Sequence, residues 1–246
     1  IAWQLIEHPA REKYDLSSIE AIAYGGAPSA PDLVRKIREV FGALPGNGWG
    51  MTETTATVTG LSAEDYLNRP TSCGPPVAVA RLKVLGEDGQ DLPPGQIGEL
   101  YASGPMIVKG YWNNPEASAA TFIDGWVRTG DLAWLDEEGF CYIADRAKDI
   151  VIRGGENIYS SEVENVLYDH PAVMDAAVVG IPHRTLGEEP AAVVHLTPGQ
   201  SASEAELQAW VRERLAAFKV PVRILFHPET LPRNANGKIL KKDLKA

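Results

Sequence analysis

Apolar residues at Leu33, Val34, Ile37, Val40 and Phe41 recur at helical spacing behind Pro31 and Asp32, which suit a first turn, so the pattern predicts a helix from Asp32 to Phe41. Ahead of it, "IEAIAYGGAP" reads as a short buried strand running into a glycine turn. Strand, glycine turn and helix form an α/β unit, in which ligands sit beyond the carboxyl ends of the strands. From about Thr71 to Ala144 the texture changes: "RLKVLGEDGQDLPPGQIGELYASGP" and "GFCYIADR" are short alternating stretches separated by turn residues, as in an antiparallel sheet or barrel.

After Asp149 the pattern changes again. It predicts a strand at "IVIRGG", a helix from Ser161, strands at "DAAVVGIP" and "PAAVVHL", a helix from Glu204 to Ala217 and a loop-rich tail. Ser161 followed by Glu164 reads as a capping box at the start of the first of these helices. The three textures give an α/β part over about 1–70, a β-rich part over about 71–147 and a compact α+β domain over 148–246. The opening "IAWQLIEHP" reads as an amphipathic helix already under way behind Ile1, which suggests a piece of a longer polypeptide.

Composition narrows the function classes. The chain has 246 residues, 44% of them hydrophobic and 23% charged, as in a soluble globular protein. No apolar run reaches the ~18 residues of a membrane span, and the start has no signal-peptide pattern. A formal net charge of −10 disfavours nucleic acid or an anionic membrane as a partner held by bulk electrostatics. Cys73 and Cys141 have no CxxC spacing and no nearby histidine, which argues for two buried free thiols in a reducing cytoplasm rather than a zinc site or a disulfide.

Four clusters could carry chemistry. "YGGAP" (24–28) is a strand-ending turn or part of a ligand site. In "NGWGMTETT" (47–55), Gly48 and Gly50 flank Trp49 so that a ligand can approach the backbone, and Thr52 beside Glu53 pairs a hydroxyl for phosphate with a carboxylate for magnesium. Asp131 in "RTGDLAWLDEEGF" is a turn former or a carboxylate for ribose hydroxyls. In "LPRNANGKILKK", Asn236 and Gly237 form a turn that projects Lys238.

In this order and at these spacings, "YGGAP", "GWGMTET", "GELYASGPMIVKGYW", "TGDLAWLDEEGFCYIADRAKDIVIRGGENIYSSEVE", "AFKVP" and "LPRNANGK" resemble the adenylate-forming superfamily of acyl-CoA synthetases, peptide-synthetase adenylation domains and luciferases. The family's Ser/Thr/Gly-rich phosphate loop has no counterpart here, so the chain resembles the second half of such an enzyme. By that resemblance, 1–147 is the end of the large AMP-binding domain with a β-barrel-like subdomain, and 148–246 is the small mobile C-terminal domain.

The resemblance implies an ATP-dependent acid–CoA ligase that uses ATP, Mg²⁺ and coenzyme A with a small-molecule carboxylic acid. Gly26, Ala27, Pro28 and the segment Asn47, Gly48, Trp49, Gly50 and Met51 would line the nucleotide, with Trp49 replacing the family's commoner tyrosine against adenine. Thr52 would contact the α-phosphate, Glu53 would hold Mg²⁺, Asp131 would bind the ribose, and Arg146 would add positive charge near it. Lys238 would bridge the acid and ATP, with Thr52 and Glu53 as its catalytic companions. Lys148 matches the family's pivot, and Gly154 and Gly155 would line the pantetheine tunnel, although a hairpin turn needing positive φ accounts for the same glycines. Ser160 stands where the family often has proline. The resemblance leaves open an adenylation domain that loads a carrier protein, or a half-molecule that binds nucleotide or CoA without turnover. The family often forms homodimers through its large domain.

Overall fold

The computed structural model of the chain describes residues 5–25, 31–234 and 238–244. It divides into two compact units, Ile1–Ile143 and Ala144–Ala246.

In the first unit, β1 (Ala21–Gly25) and β2 (Leu44–Gly48) are parallel, in register from Ala21 opposite Leu44 to Gly25 opposite Gly48. Parallel neighbours require a crossover, and helix α1 (Pro31–Phe41) supplies it. Its apolar stripe packs Leu33 and Ile37 against Ile6 and Ala43, with Ile22, Val40 and Phe41 around them. The strand expected to be buried is not: β1 lies at the edge of the three-stranded sheet, and Ala21 and Ala23 are exposed. Two short strands, β3 (Gly50–Met51) and β4 (Ala56–Thr57), form a hairpin, and β5 (Leu61–Ser62) returns antiparallel to β2 ahead of α2 (Ala63–Asn68).

The β-rich part is a five-stranded sheet of β6 (Arg81–Leu85), β7 (Gly98–Ser103), β8 (Phe122–Ile123), β9 (Trp126–Leu135) and β10 (Cys141–Arg146). Its order is β10-β9-β7-β6, with β8 on β9. Helix α3 (Pro115–Thr121) precedes β8, started by Pro115 and by Asn114, whose Oδ1 accepts from the Ala117 N–H. Cys73 and Cys141 are free and buried, packed with Val84, Leu100 and Ala133.

The second unit carries the hairpin β11 (Val151–Arg153) and β12 (Glu156–Ile158), helix α4 (Ser160–Tyr168), the long antiparallel pair β13 (Val173–His183) and β14 (Gly187–Leu196), helix α5 (Glu204–Arg212) and β15 (Arg223–Phe226), parallel to β14. The unbroken apolar run in β13 follows from burial on both faces. Ala176 and Val178 join the core under the helices, with Val163, Leu167, Leu207 and Val211. Ala177 faces the other way, packing with Val193 and Leu231 beneath Ile239 and Leu244.

Two helix boundaries differ from the sequence reading. The capping box expected at Ser161 does not form: the N-cap of α4 is Tyr159, without a side-chain cap, and Ser161 lies inside the helix. The capping box belongs to α5, where Ser203 Oγ accepts from the Glu206 N–H at 3.2 Å and Glu206 Oε2 accepts from the Ser203 N–H at 2.7 Å. Helix α5 also stops at Arg212, well short of Ala217; the chain makes a separate 3₁₀ turn at Ala217–Lys219.

Candidate active site

The carboxyl ends of the parallel strands β1 and β2 open into a cleft of about 320 Å³ lined by Gly25, Gly48, Trp49, Gly50, Met51, Thr52, Ala56 and Thr57. That is where ligands of α/β sheets sit, and the volume falls within the ~300–1,000 Å³ of small-molecule sites. Five consecutive predicted residues, Gly48 to Thr52, therefore share one lining. Asn47 caps its own strand end, its Oδ1 accepting from the Gly48 N–H at 2.8 Å. Gly26, Ala27 and Pro28 lie outside the described residues, as do Asn236 and Gly237 of the terminal turn.

The glycines of this segment are also required by the chain's own packing. A Cβ on Gly50 would lie 1.6 Å from the Ala56 carbonyl oxygen, and one on Gly48 would lie 2.8 Å from that of Thr59. Their missing side chains admit the chain's own backbone, at Gly50 within the β3–β4 hairpin and at Gly48 beside Thr59. The tip of the hairpin is strained, with Thr55 at φ 50° and Ala56 at φ 126°. Buried Thr54 holds it: its Oγ1 accepts from the Met51 N–H at 3.0 Å and lies 2.9 Å from the carbonyls of both Met51 and Ala56.

Trp49 packs between two apolar clusters, one around Leu100 and Ala133 and the other around Val58 and Val127. Its indole N–H donates to Asp131 Oδ2 at 2.8 Å. Asp131 is only 8% exposed, and its N–H donates to Thr129 Oγ1 at 3.1 Å. The turn reading of this carboxylate is therefore incomplete, because the side chain is joined to the lining of the cleft through Trp49.

Glu53 is half-buried, and Tyr111 donates to its Oε1 at 2.6 Å. The hydrogen bond to Glu53, with some burial, holds the Tyr111 phenol above its ordinary value, so it stays a donor. The sequence does not single out Tyr111, and its one signal there is an aromatic residue inside "GELYASGPMIVKGYW". Among the described residues there is no group of three or more metal-ligating side chains. One carboxylate oriented by a phenol suits Mg²⁺, which keeps waters and takes most other oxygens from substrate phosphates.

The remaining predicted residues belong to the second unit or to the end of β10. Arg146 closes β10, and the Asp149 N–H donates back to its carbonyl at 2.9 Å, which places exposed Lys148 in a tight turn. Helix α4 pins this turn: Ser160 Oγ donates to the Asp149 carbonyl at 2.6 Å, Ser161 Oγ donates to the Ala144 carbonyl, and the Ser161 N–H donates to Asp145. Ser160 is fully buried, and its hydroxyl provides a tie that a proline could not. Gly154 (φ 60°) and Gly155 (φ 93°) form the two-residue turn between the paired Arg153 and Glu156, a hairpin that requires positive φ at both positions. Lys238 is exposed; its N–H donates to Asn234 Oδ1 at 3.0 Å, and its carbonyl accepts from the Asn234 N–H at 2.9 Å.

Comparison with known proteins gives the family. The family model described as "AMP-binding enzyme" matches residues 1–112, and "AMP-binding enzyme C-terminal domain" matches residues 162–238. The chain belongs to this family of adenylate-forming enzymes. It is 45% identical over 221 residues to a 2-succinylbenzoate–CoA ligase of Geobacillus kaustophilus, covering 90% of this chain and 44% of the relative. Among solved structures it resembles an amide bond synthetase of Marinactinospora thermotolerans, with 37% identity and a TM-score of 0.92 over 99% of this chain and 49% of the other. It also resembles the o-succinylbenzoate coenzyme A synthetase of Bacillus subtilis in complex with ATP and magnesium ion, with 38% identity and a TM-score of 0.89 over 100% of this chain and 50% of the other. The chain thus spans about half the length of the proteins it matches. No helix among the described residues is long and apolar enough to cross a membrane.

Proposed function

We propose that the chain carries the second half of an ATP-dependent acid–CoA ligase, which joins a carboxylic acid to AMP with release of pyrophosphate and then passes the acyl group to the thiol of coenzyme A. The observation that carries this reading is the cleft at the carboxyl ends of β1 and β2, with Trp49 in its lining bonded to Asp131. Trp49 offers an aromatic face to adenine, and Asp131, with its carboxylate fixed by the indole N–H, accepts from the ribose hydroxyls. Thr52, exposed in the cleft lining, reaches the α-phosphate. Glu53, oriented by Tyr111, would hold Mg²⁺, which when bound neutralises phosphate charge.

Arg146 and Lys238 contribute positive charge. Lys238 serves the attack of the acid on ATP, where negative charge builds, and such preorganised groups commonly contribute ~10²–10³ in kcat. Gly154 and Gly155 leave a turn without side chains for pantetheine to pass, and Lys148 marks the pivot between the two half-reactions. On this reading the 246-residue chain binds AMP alone and turns over only when joined to the first half that its relatives possess.

A second acceptor class has support from one observation, the high similarity to an amide bond synthetase. The full-length protein incubated with ATP, a panel of acids and either CoA or a primary amine separates the two readings: thioester with CoA supports the ligase, and amide without thioester supports the alternative.

A further inference from the structure

Two carboxylates that the reading above does not use hold the segment bearing Lys238 from both sides. Asp175, on β13, is 3% exposed, and three donors converge on it. Tyr168 Oη and Arg233 Nη2 each lie 2.7 Å from its Oδ1, and the Leu231 N–H donates to its Oδ2 at 3.1 Å. Glu164, on α4, pairs with Lys241 at 2.8 Å, with side chains only 15% and 17% exposed, and accepts from the Val178 N–H at 2.7 Å. Arg233 and Lys241 bracket Lys238. Between them the chain closes on itself through the Arg233–Ile239 bridge and the Leu240 N–H bonded to the Pro232 carbonyl at 2.8 Å.

Such an arrangement is expensive for mere attachment. Leu231, Ile239 and Leu244 already fasten this segment to Ala177 and Val193, and apolar side chains would do so without desolvating ions. Directional ion pairs add register: a bonded carboxylate fixes where the partner's backbone lies, whereas an apolar contact tolerates sliding. We infer that Asp175 and Glu164 are positioning residues for Lys238, setting its place through Arg233 on one side and Lys241 on the other. The inference rests on the proposed role of Lys238 in adenylation and extends it to residues that role does not itself involve.

The test uses three variants of the full-length protein and the same variants of the 246-residue chain. Lys241→Met alone strands a buried carboxylate and endangers folding, so the informative variant is Glu164→Gln/Lys241→Met, which removes both charges and is expected to keep a melting temperature close to wild type. Lys241→Arg keeps the pair. In the double variant, acid-dependent pyrophosphate release should fall roughly tenfold to a hundredfold in kcat, as a misplaced catalytic group does. Thioester formation from supplied acyl-adenylate should hold, and Lys241→Arg, with the pair kept, should retain most of the wild-type rate. In the chain itself, the amides of Asn234 and Leu240 should exchange with solvent at least tenfold faster in the double variant. Unchanged adenylation or unchanged exchange in a folded double variant overturns the inference. Lys238→Ala is the control: if it leaves adenylation intact, the proposed role of Lys238 fails, whereas if it abolishes adenylation while the double variant is unaffected, only the positioning inference fails.

Discussion

The indole N–H of Trp49 donates to Asp131 Oδ2 at 2.8 Å across 82 positions of sequence, joining the strand-end loop of the α/β part to β9 of the antiparallel sheet. A phenylalanine at 49 would keep an aromatic face and lose this donor. A hydrogen bond to a charged group contributes about 1.5–3 kcal/mol, so Trp49→Phe is expected to weaken AMP binding by about tenfold or more. Calorimetric titration of AMP into the chain and the variant checks this, and equal affinities would show that the indole N–H does not prepare Asp131 for the ribose.

Tyr111 and Glu53 form a second such pair. Tyr111→Phe leaves the ring against Phe122 and removes only the hydroxyl. Loss of a partner that orients a metal-binding carboxylate commonly costs 10–100-fold in metal affinity, so the magnesium concentration for half-maximal rate in the full-length protein should rise about tenfold. An unchanged magnesium dependence would separate Glu53 from the metal.

Gly50 is predicted to be intolerant for a structural reason. Adding a Cβ drives it to 1.6 Å from the Ala56 carbonyl, which is backbone and already strained. Gly50→Ala should destabilise the first unit by about 2–3 kcal/mol, in the range of overpacked sites, read as a lowered denaturation midpoint of the chain. Gly155→Ala meets no atom within 4 Å and suffers only from its φ of 93°, so its effect should be smaller, about 1 kcal/mol.

The buried pair at α4 gives a pH dependence with a definite sign. Burial raises the Glu164 carboxyl above 4.5 by more than Lys241 and the Val178 N–H lower it, with Asp145 nearby adding to the rise. A carboxyl whose value is raised on folding holds its proton more tightly in the folded chain. Its contribution to stability is thus present below pH 4.5 and is lost as pH rises through the raised value. Glu164→Gln/Lys241→Met should therefore show a flatter decline in urea midpoint than wild type from pH 4.5 towards neutrality. Identical profiles would assign the decline to other groups, Asp145 first among them, since burial raises it as well.

Much of the framework was legible because it follows from periodicity. The stripe Leu33–Phe41 gave α1 to within a residue, and the apolar runs gave β13 and β14, with the structure extending each by a few residues. What periodicity does not encode is which polar side chain meets which. Ser161 and Glu164 have the spacing of a capping box, but Glu164 is drawn under the sheet edge by Lys241, a partner 77 positions away, and Ser161 turns to the Ala144 carbonyl. The same blindness hid Tyr111, Thr54 and Asp175, whose partners or backbone constraints appear only in the fold. Gly50 stands out in the sequence as a glycine of the site, and the fold adds a packing reason that the sequence does not carry, the Ala56 carbonyl set against it.

The most direct test of the ligase reading is ATP–pyrophosphate exchange by the full-length protein across a panel of carboxylic acids, with Asp131→Ala alongside. The account predicts exchange that requires an acid and magnesium and falls at least a hundredfold in the variant. Exchange that proceeds without acid, or that survives loss of Asp131 undiminished, would contradict it.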